Sequence, residues 1–233
     1  MNRQSKATVK KSTFIFLKDL GRHNNRDWFN ANKERYLSEQ ENMLAFAENL
    51  LEKMRTHDEI ENPSAKKVLY RIYKDVRFSR DKSPYKTSWS GSFRRATKKK
   101  RGGYYFHIES GNTYMAGGFF SPDVDVLKRI RQDIDLNYPD WKKMLGNKKT
   151  KAFFGKLRGG QLLTTPKGFE KDHPAIELLR YKSFVLRHNF TDKEVLSEKF
   201  PVLLNQAFKN LRPFFDYMSD VLTTDLNGES IVE

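Results

Sequence analysis

The stretch YYFHIESGNTYMAGGFF, residues 104–120, decides the fold class of this chain. Two runs rich in aromatic residues flank Ser110, Gly111 and Asn112, which are residue types that favour tight turns. This arrangement predicts an antiparallel β-hairpin. Gly117 and Gly118, inside the second run, predict a bulge or a close approach of another backbone.

The sequence upstream of the hairpin predicts helices followed by strands. A short helix is expected over residues 14–21, and a longer helix begins at an Asn24 cap and runs to about residue 55. Apolar and polar residues alternate over residues 68–78, which predicts a half-buried strand, although a helix over 66–76 stays open. A second strand is expected at 87–93.

The sequence downstream of the hairpin predicts shorter elements and a final long helix. Ser121 and Pro122 predict a helix start, Thr191 and Glu194 a capping box, and Pro213 a kink in the last helix. Strands are predicted at 161–165 and 182–188, and a helical turn at 176–179.

These elements predict an α+β fold, in which a central, mostly antiparallel, hairpin-built sheet packs against long N- and C-terminal helices. Residues 1–12 are expected to form a flexible basic tail. No linker rich in Pro, Gly or Ser divides the rest, so we expect a single domain over residues 13–226.

The formal charge of +15 is concentrated between Lys66 and Arg101. Fourteen basic side chains face only Asp75 and Asp81 there, and fourteen minus two gives +12 in 36 residues. A local excess of this size attracts polyanions. The charge therefore predicts where the protein acts and the sign of its ligand, but no reaction.

Composition excludes several kinds of site. The chain has no cysteine, so it contains no disulfide, thiolate metal site or cysteine nucleophile. The five histidines are dispersed without ligand spacing, and the glycine-rich nucleotide-binding loops are absent, so we expect neither metal nor cofactor. His107 and Glu109 share a predicted strand face, but two ligands are too few. With no signal-peptide core and no apolar run long enough for a membrane span, we expect a soluble cytoplasmic protein without a membrane partner.

Four blocks along the chain carry a family resemblance. They are NNRDWFNANKERY (residues 24–36), RIYKDVRFSRDKSPYKT (71–87), AGGFFSPD (116–123) and PKGFEKDHPAIELLRYKSF (166–184). In this order they resemble the domain of unknown function 2461 family, over roughly residues 14–220. The resemblance implies a widespread single-domain protein of cytoplasmic type and implies no activity. The basic run at 94–101 is longer than the family pattern.

The first candidate site is an anion-binding cluster, for which phosphate is the most natural ligand. Arginine offers a planar fork to phosphate, lysine a mobile charge, and hydroxyls further donors. The alternative is structural, with Arg71 and Arg77 paired to Asp75 and Asp81. The predicted anion-binding residues are Arg71, Arg77, Ser79, Arg80, Lys82, Tyr85 and Lys86.

Further candidates lie outside this cluster. Asn25, Arg26 and Lys33 are expected toward the same pocket, and Lys167 lies in a tight turn before His173. If the protein is an enzyme, which the sequence leaves uncertain, the weak acid–base candidates are Asp75, Asp81 and His173. The basic run beside aromatic strands offers a nucleic-acid surface made of Arg94, Arg95, Lys98, Lys99, Lys100 and Arg101.

Three functions therefore remain open. The first is binding of nucleic acid or another phosphate-rich polymer through residues 66–101. The second is an enzyme that holds a phosphorylated or acidic substrate in an Arg/Lys clamp. The third is an interaction protein that docks an acidic partner.

Overall fold

The computed structural model describes residues 7–96, 98–225 and 228–232. Within them, four strands form one antiparallel sheet in the order β1-β2-β3-β4. The strands are β1 (Trp89–Arg94), β2 (Gly103–Ile108), β3 (Thr113–Phe119) and β4 (Phe184–Phe190). The helices are α1 (Lys11–Arg22), α2 (Arg26–Ala31), α3 (Lys33–Arg55), α4 (Ala65–Val68), α5 (Val124–Leu136), α6 (Tyr138–Gly146), α7 (Lys148–Phe154), α8 (Ile176–Leu179), α9 (Asp192–Val195), α10 (Phe200–Asn210) and α11 (Arg212–Thr223). The α+β class and the antiparallel sheet are confirmed.

The chain forms two compact units, each assembled from three segments. The first unit comprises the residues up to 93 together with 105–115 and 189–207. The second comprises 94–104, 116–188 and the residues from 208 onward. The single domain expected over 13–226 stays a prediction, and residues 97 and 226 lie outside the described residues.

Aromatic side chains fill the core of the first unit. The Phe46 ring of α3 lies 6.1 Å from that of Phe106 on β2 and stacks at 5.7 Å on Phe200. Phe16 and Leu20 of α1 are also buried. This packing agrees with the amphipathic patterns of α1 and α3, because an apolar stripe must be covered.

The second unit has its own aromatic core. The Trp141 ring of α6 lies 5.8 Å from Phe184 on β4, and Tyr104 meets Phe215 of α11 edge-on at 4.9 Å. Ile130 and Ile134 of α5 are fully buried, as their spacing predicts.

The strand predicted at 68–78 is wrong. Helix α4 ends at Val68, and the chain then makes only the isolated bridges Leu69 to Gly91 and Tyr73 to Tyr85. The Asp75 side chain accepts a hydrogen bond from the Arg77 backbone N–H at 3.2 Å, which turns the chain. The turn places Phe78 outside, although alternation had placed it on the buried face.

Other boundaries also differ from the sequence predictions. The helix expected over 24–55 divides at Asn32 into α2 and α3, and its cap is Asn25, not Asn24. The cap of α5 is Asp123, which lies after the predicted Ser121 and Pro122. The described part of the predicted tail is packed, because the apolar side chains of Ala7 and Val9 are buried; residues 1–6 lie outside the described residues.

The predictions in the C-terminal half were more accurate. The capping box of Thr191 and Glu194 and the helical turn at 176–179 are confirmed. The strand expected at 161–165 is reduced to one bridge between Gln161 and Tyr181. Pro213 lies in the first turn of α11, so the predicted kink is a break between two helices.

Candidate anion-binding site

The signature segment, residues 71–86, is an irregular loop of the first unit that is held by its own side chains. Lys74 Nζ lies 2.8 Å from Asp81 Oδ2 and donates to Ser83 Oγ at 2.7 Å. Arg77 Nη2 lies 2.6 Å from Asp75 Oδ2. The hydrogen bond from Lys74 holds the pKa of Asp81 well below its usual range, and that from Arg77 lowers the pKa of Asp75. Both carboxylates therefore stay charged and define the turn.

These ion pairs leave a cationic excess. Lys82 and Lys86 donate to backbone carbonyls, those of Val76 at 3.0 Å and Arg71 at 2.8 Å, and so keep their charge unneutralised. Within the described residues, neither Arg71 nor Arg80 lies at ion-pair distance from a carboxylate. The aspartates thus pair with Arg77, as the structural alternative expected, and with Lys74 in place of Arg71. Four cations remain, so the segment keeps a surplus of positive charge.

Phe78 projects from the turn beside Arg77. Its side chain is 96% exposed, and the Arg77 guanidinium carbon lies 5.9 Å from the ring centroid. Burying one Phe side chain stabilises a fold by about 1.5–3 kcal/mol, so a ring held fully in water has an unused contact surface. Ser79 and Arg80, which follow it, are also exposed.

The sequence block at residues 24–36 contacts the signature segment through Asn24. Its side-chain amide donates to the Tyr85 carbonyl at 2.9 Å and accepts from the Tyr85 N–H at 3.0 Å. Phe29 stacks on the Tyr85 ring at 4.0 Å. Both backbone groups of a loop residue are thereby satisfied by one distant side chain, which fixes the loop.

The secondary candidates lie at this same contact. Asn25 caps α2 by accepting from the Trp28 N–H, which is a structural role. Lys33 Nζ lies 5.1 Å from the Phe29 ring centroid. Burial raises the pKa of Tyr85, and the positive charge of Arg26 acts in the opposite direction. Lys33 thus contacts Phe29, the ring that stacks on Tyr85, and the role of Arg26 and Lys33 in anion binding stays a prediction.

A family model described as a conserved hypothetical protein, DUF2461, matches residues 12–217. The chain belongs to this family. No curated protein and no solved structure matches it. The match spans both units of the DUF2461 chain and includes the signature segment.

The structure adds three residues that the sequence analysis did not assign to a site. Tyr105, His107 and Glu109 share the outer face of β2 in this DUF2461 protein, with His107 Nε2 lying 3.1 Å from Glu109 Oε2. Strand alternation places His107 and Glu109 on one face, but two such side chains are too few for a metal site and indicate no other function by themselves. Tyr105 is the sequence feature that could have indicated a site here, because the same alternation places its side chain on the same face as His107.

The basic run at 94–101 belongs to the second unit and is less uniform than its sequence. Arg95 is not a surface residue, because its side chain is 1% exposed and pairs with Asp216 at 2.7 Å. Its guanidinium also donates to Ser219 Oγ and lies over Phe215. Lys98 and Lys99 are exposed, Lys100 and Arg101 half-buried, and Arg94 exposed.

The candidates at 166–174 belong to the second unit, where His173 holds a turn. His173 Nε2 lies 2.9 Å from Asp135 Oδ1, and its Nδ1 accepts from the Ala175 N–H at 3.0 Å. Both ring nitrogens therefore fix a turn, and Lys167 is exposed.

Two kinds of feature are absent from the described residues. They contain no group of three or more His, Asp or Glu side chains arranged to hold a metal ion. No helix among them has the length and apolar content needed to cross a bilayer.

Proposed function

We propose that this DUF2461 protein binds single-stranded nucleic acid through the signature surface, defined as Arg71, Arg77, Phe78, Arg80 and Lys82. The observation that carries the proposal is Phe78, whose ring is almost completely exposed beside the Arg77 guanidinium. Proteins that bind single strands combine aromatic platforms for bases with cations that follow the backbone. The signature surface supplies both.

Charge supports the same ligand. Six basic residues and two carboxylates lie in residues 71–86, a net charge of +4, and the two carboxylates are engaged by Lys74 and Arg77. The remaining cations are free to contact phosphates. An acidic protein would satisfy the charge but would not need an exposed ring, so nucleic acid accounts for more of the surface.

A second candidate function, an enzyme acting on a phosphorylated substrate, is favoured by one specific observation. Tyr105, His107 and Glu109 form a hydrogen-bonded chain on the same unit. The Tyr70 ring lies near both Tyr105, at 6.3 Å, and Lys86 Nζ, at 5.7 Å, so anion-holding and proton-carrying groups are neighbours.

The test is a binding measurement on Phe78→Ala with a fluorescently labelled single-stranded oligonucleotide. Loss of one base–ring stack weakens binding by about 1–3 kcal/mol. Leu163→Ala is the matched control, because Leu163 is 94% exposed and lies on the other unit. We expect wild-type affinity for Leu163→Ala.

Salt dependence identifies the phosphate contacts. About four contacts give a slope of log affinity against log salt of about −3 on single strands, and Arg71→Gln and Arg80→Gln each reduce it by about 0.7. Equal affinity of Phe78→Ala and the wild type, or affinity that does not change with salt, would refute the proposal. Binding of an acidic protein in place of the oligonucleotide would support the interaction-protein alternative.

A further inference from the structure

Strand β2 presents three polar side chains on its outer face. Its residues alternate, with Tyr104, Phe106 and Ile108 buried and Tyr105 and His107 half-exposed. Glu109 continues the half-exposed series one residue beyond the strand. A strand has a two-residue side-chain period, so the phenol, imidazole and carboxylate stand in a row.

The row is joined by hydrogen bonds of unequal quality. Glu109 Oε2 lies 3.1 Å from His107 Nε2, whereas Tyr105 Oη lies 3.4 Å from His107 Nδ1. Hydrogen bonds between nitrogen and oxygen usually measure 2.7–3.2 Å, so Nδ1 is weakly engaged. In the tautomer whose Nε2–H donates to this carboxylate, the Nδ1 lone pair can accept a proton from a ligand.

Glu109 is itself held in place. Asn112 Nδ2 donates to it at 2.9 Å and Thr87 Oγ1 at 3.2 Å. Burial alone would raise the pKa of Glu109, but the hydrogen bonds from Asn112, His107 and Thr87 outweigh it and lower the pKa. The carboxylate is therefore ionised at neutral pH and orients the imidazole.

Aromatic rings border the row and connect it to the signature segment. Tyr114 of β3 stacks on His107 at 4.9 Å, and Tyr70 lies 6.3 Å from Tyr105. Lys86 Nζ lies over Tyr70, and its pKa is lowered by burial and by the charge of Arg71. The groups that face His107 are thus Tyr105, Glu109 and Tyr114. The cation Lys86 contacts Tyr70, which in turn lies next to Tyr105.

We propose that this face is a catalytic site that cleaves the phosphodiester backbone of single-stranded RNA. The inference rests on the proposed nucleic-acid binding and adds a reaction to it. RNA fits because its 2′-hydroxyl supplies the nucleophile, so the protein need supply only proton transfer and charge stabilisation. Unstacked RNA bases also pack on aromatic side chains such as Tyr70 and Tyr114.

The cleavage reaction needs no co-reactant, because the RNA supplies its own nucleophile. His107 Nδ1 takes the proton of the 2′-hydroxyl, the 2′-oxygen forms a bond to phosphorus, and the bond from phosphorus to the 5′-oxygen breaks. The Lys86 ammonium gives a proton to the departing 5′-oxygen, and solvent restores both groups. The products are a 2′,3′-cyclic phosphate and a 5′-hydroxyl. Burial raises the pKa of Tyr105 to about 12, so the phenol stays protonated beside His107.

The experiment measures binding and cleavage of one labelled RNA oligonucleotide in EDTA. We expect bound RNA to yield fragments with 2′,3′-cyclic phosphate ends, and the DNA of the same sequence to bind and stay intact. His107→Gln should reduce cleavage by at least about 100-fold, the lower bound for a general acid–base group, with affinity unchanged. His23→Gln, an exposed histidine that stacks on Trp28, is the control for purity and should cleave like the wild type.

Glu109 acts through His107 and is a positioning residue. Glu109→Gln should lower the turnover rate at unchanged affinity and alter the pH–rate profile, because the amide does not orient the imidazole as the carboxylate does. A purely structural role would leave the profile in place and would overturn this assignment.

The outcomes separate the two proposals. RNA that binds but stays intact overturns the catalytic site and leaves the binding proposal standing, whereas RNA that does not bind overturns both. Cleavage of the DNA, loss of cleavage in EDTA, or equal cleavage by His107→Gln also overturns the catalytic site. Circular dichroism and retained affinity show that His107→Gln is folded.

Discussion

Arg95 stands in a run of six basic residues, yet its guanidinium is buried against Phe215 and Asp216. Residue type alone could not separate it from Lys98 or Lys99, because the difference arises from residues more than a hundred positions away. Phe78 is the converse case, an aromatic residue that alternation assigned to the core and that a turn exposes. For these two residues, a long-range partner and a local turn determine whether the side chain is buried or exposed.

Replacing Arg95 by methionine tests its structural role. We expect the free energy of unfolding to fall by about 1–3 kcal/mol, because buried hydrogen bonds are lost. The fall stays below that of a fully buried pair, since Asp216 is half-exposed and regains water. Urea denaturation provides the measurement, and Lys98→Met, in the same loop, should change stability by less than about 0.5 kcal/mol. Weaker nucleic-acid binding by folded Arg95→Met would contradict this assignment.

Glu109 predicts a pH dependence of stability. Its pKa is lower in the folded protein than the ordinary value of 4.5, so the unfolded chain binds more protons as pH falls through that range. The contribution of Glu109 is thus present above about pH 4.5 and disappears as pH falls through the folded-state pKa. We expect Glu109→Gln to flatten the stability profile in this acid range, as measured by denaturation at several pH values. An unchanged slope would show that the hydrogen bonds to Glu109 do not persist in solution.

At the scale of elements, strong patterns succeeded where competing local contacts were weak. The hairpin of β2 and β3 formed as predicted because alternation, turn residues and length all agree. The segment at 68–78 also alternates, but the side chains of Asp75, Asp81 and Asn24 satisfy backbone groups that a sheet would otherwise use. Polar side chains that take the place of hydrogen bonds between strands are hard to predict from the sequence, because some of them lie far along the chain from the backbone groups that they bind.

Gly118 carries an element-scale prediction for the pairing of β3 and β4. Its φ is +145°, and a Cβ there would collide with the Phe184 carbonyl oxygen. We expect Gly118→Ala to lower the unfolding free energy by at least about 3 kcal/mol, since strained backbone adds to the clash. Gly146→Ala is the control, because no atom lies within 4 Å of its Cβ position, and its stability should stay within about 1 kcal/mol. A mild effect of Gly118→Ala in urea denaturation would mean that the strands separate easily here.

On the scale of the whole molecule, composition and charge indicated the class of ligand but not the site. The formal charge of +15 and the basic region at 66–101 could be read directly from the chain. The structure divides that region between two units, with residues 66–93 in the first and 94–101 in the second. The row of Tyr105, His107 and Glu109 has little net charge and no motif spacing, which is why only the folded strand identified it.

The side-chain amide of Asn24 forms hydrogen bonds with both backbone groups of Tyr85. This contact matters for any attempt to transplant the loop at residues 71–86 into another protein. A synthetic peptide copied from positions 71–86 would keep every ammonium and guanidinium group but would lack the two hydrogen bonds that Asn24 supplies from outside it. Such a peptide would adhere to polyanions indiscriminately and would lose the geometry of the parent loop. A graft that retains that geometry must bring the asparagine along.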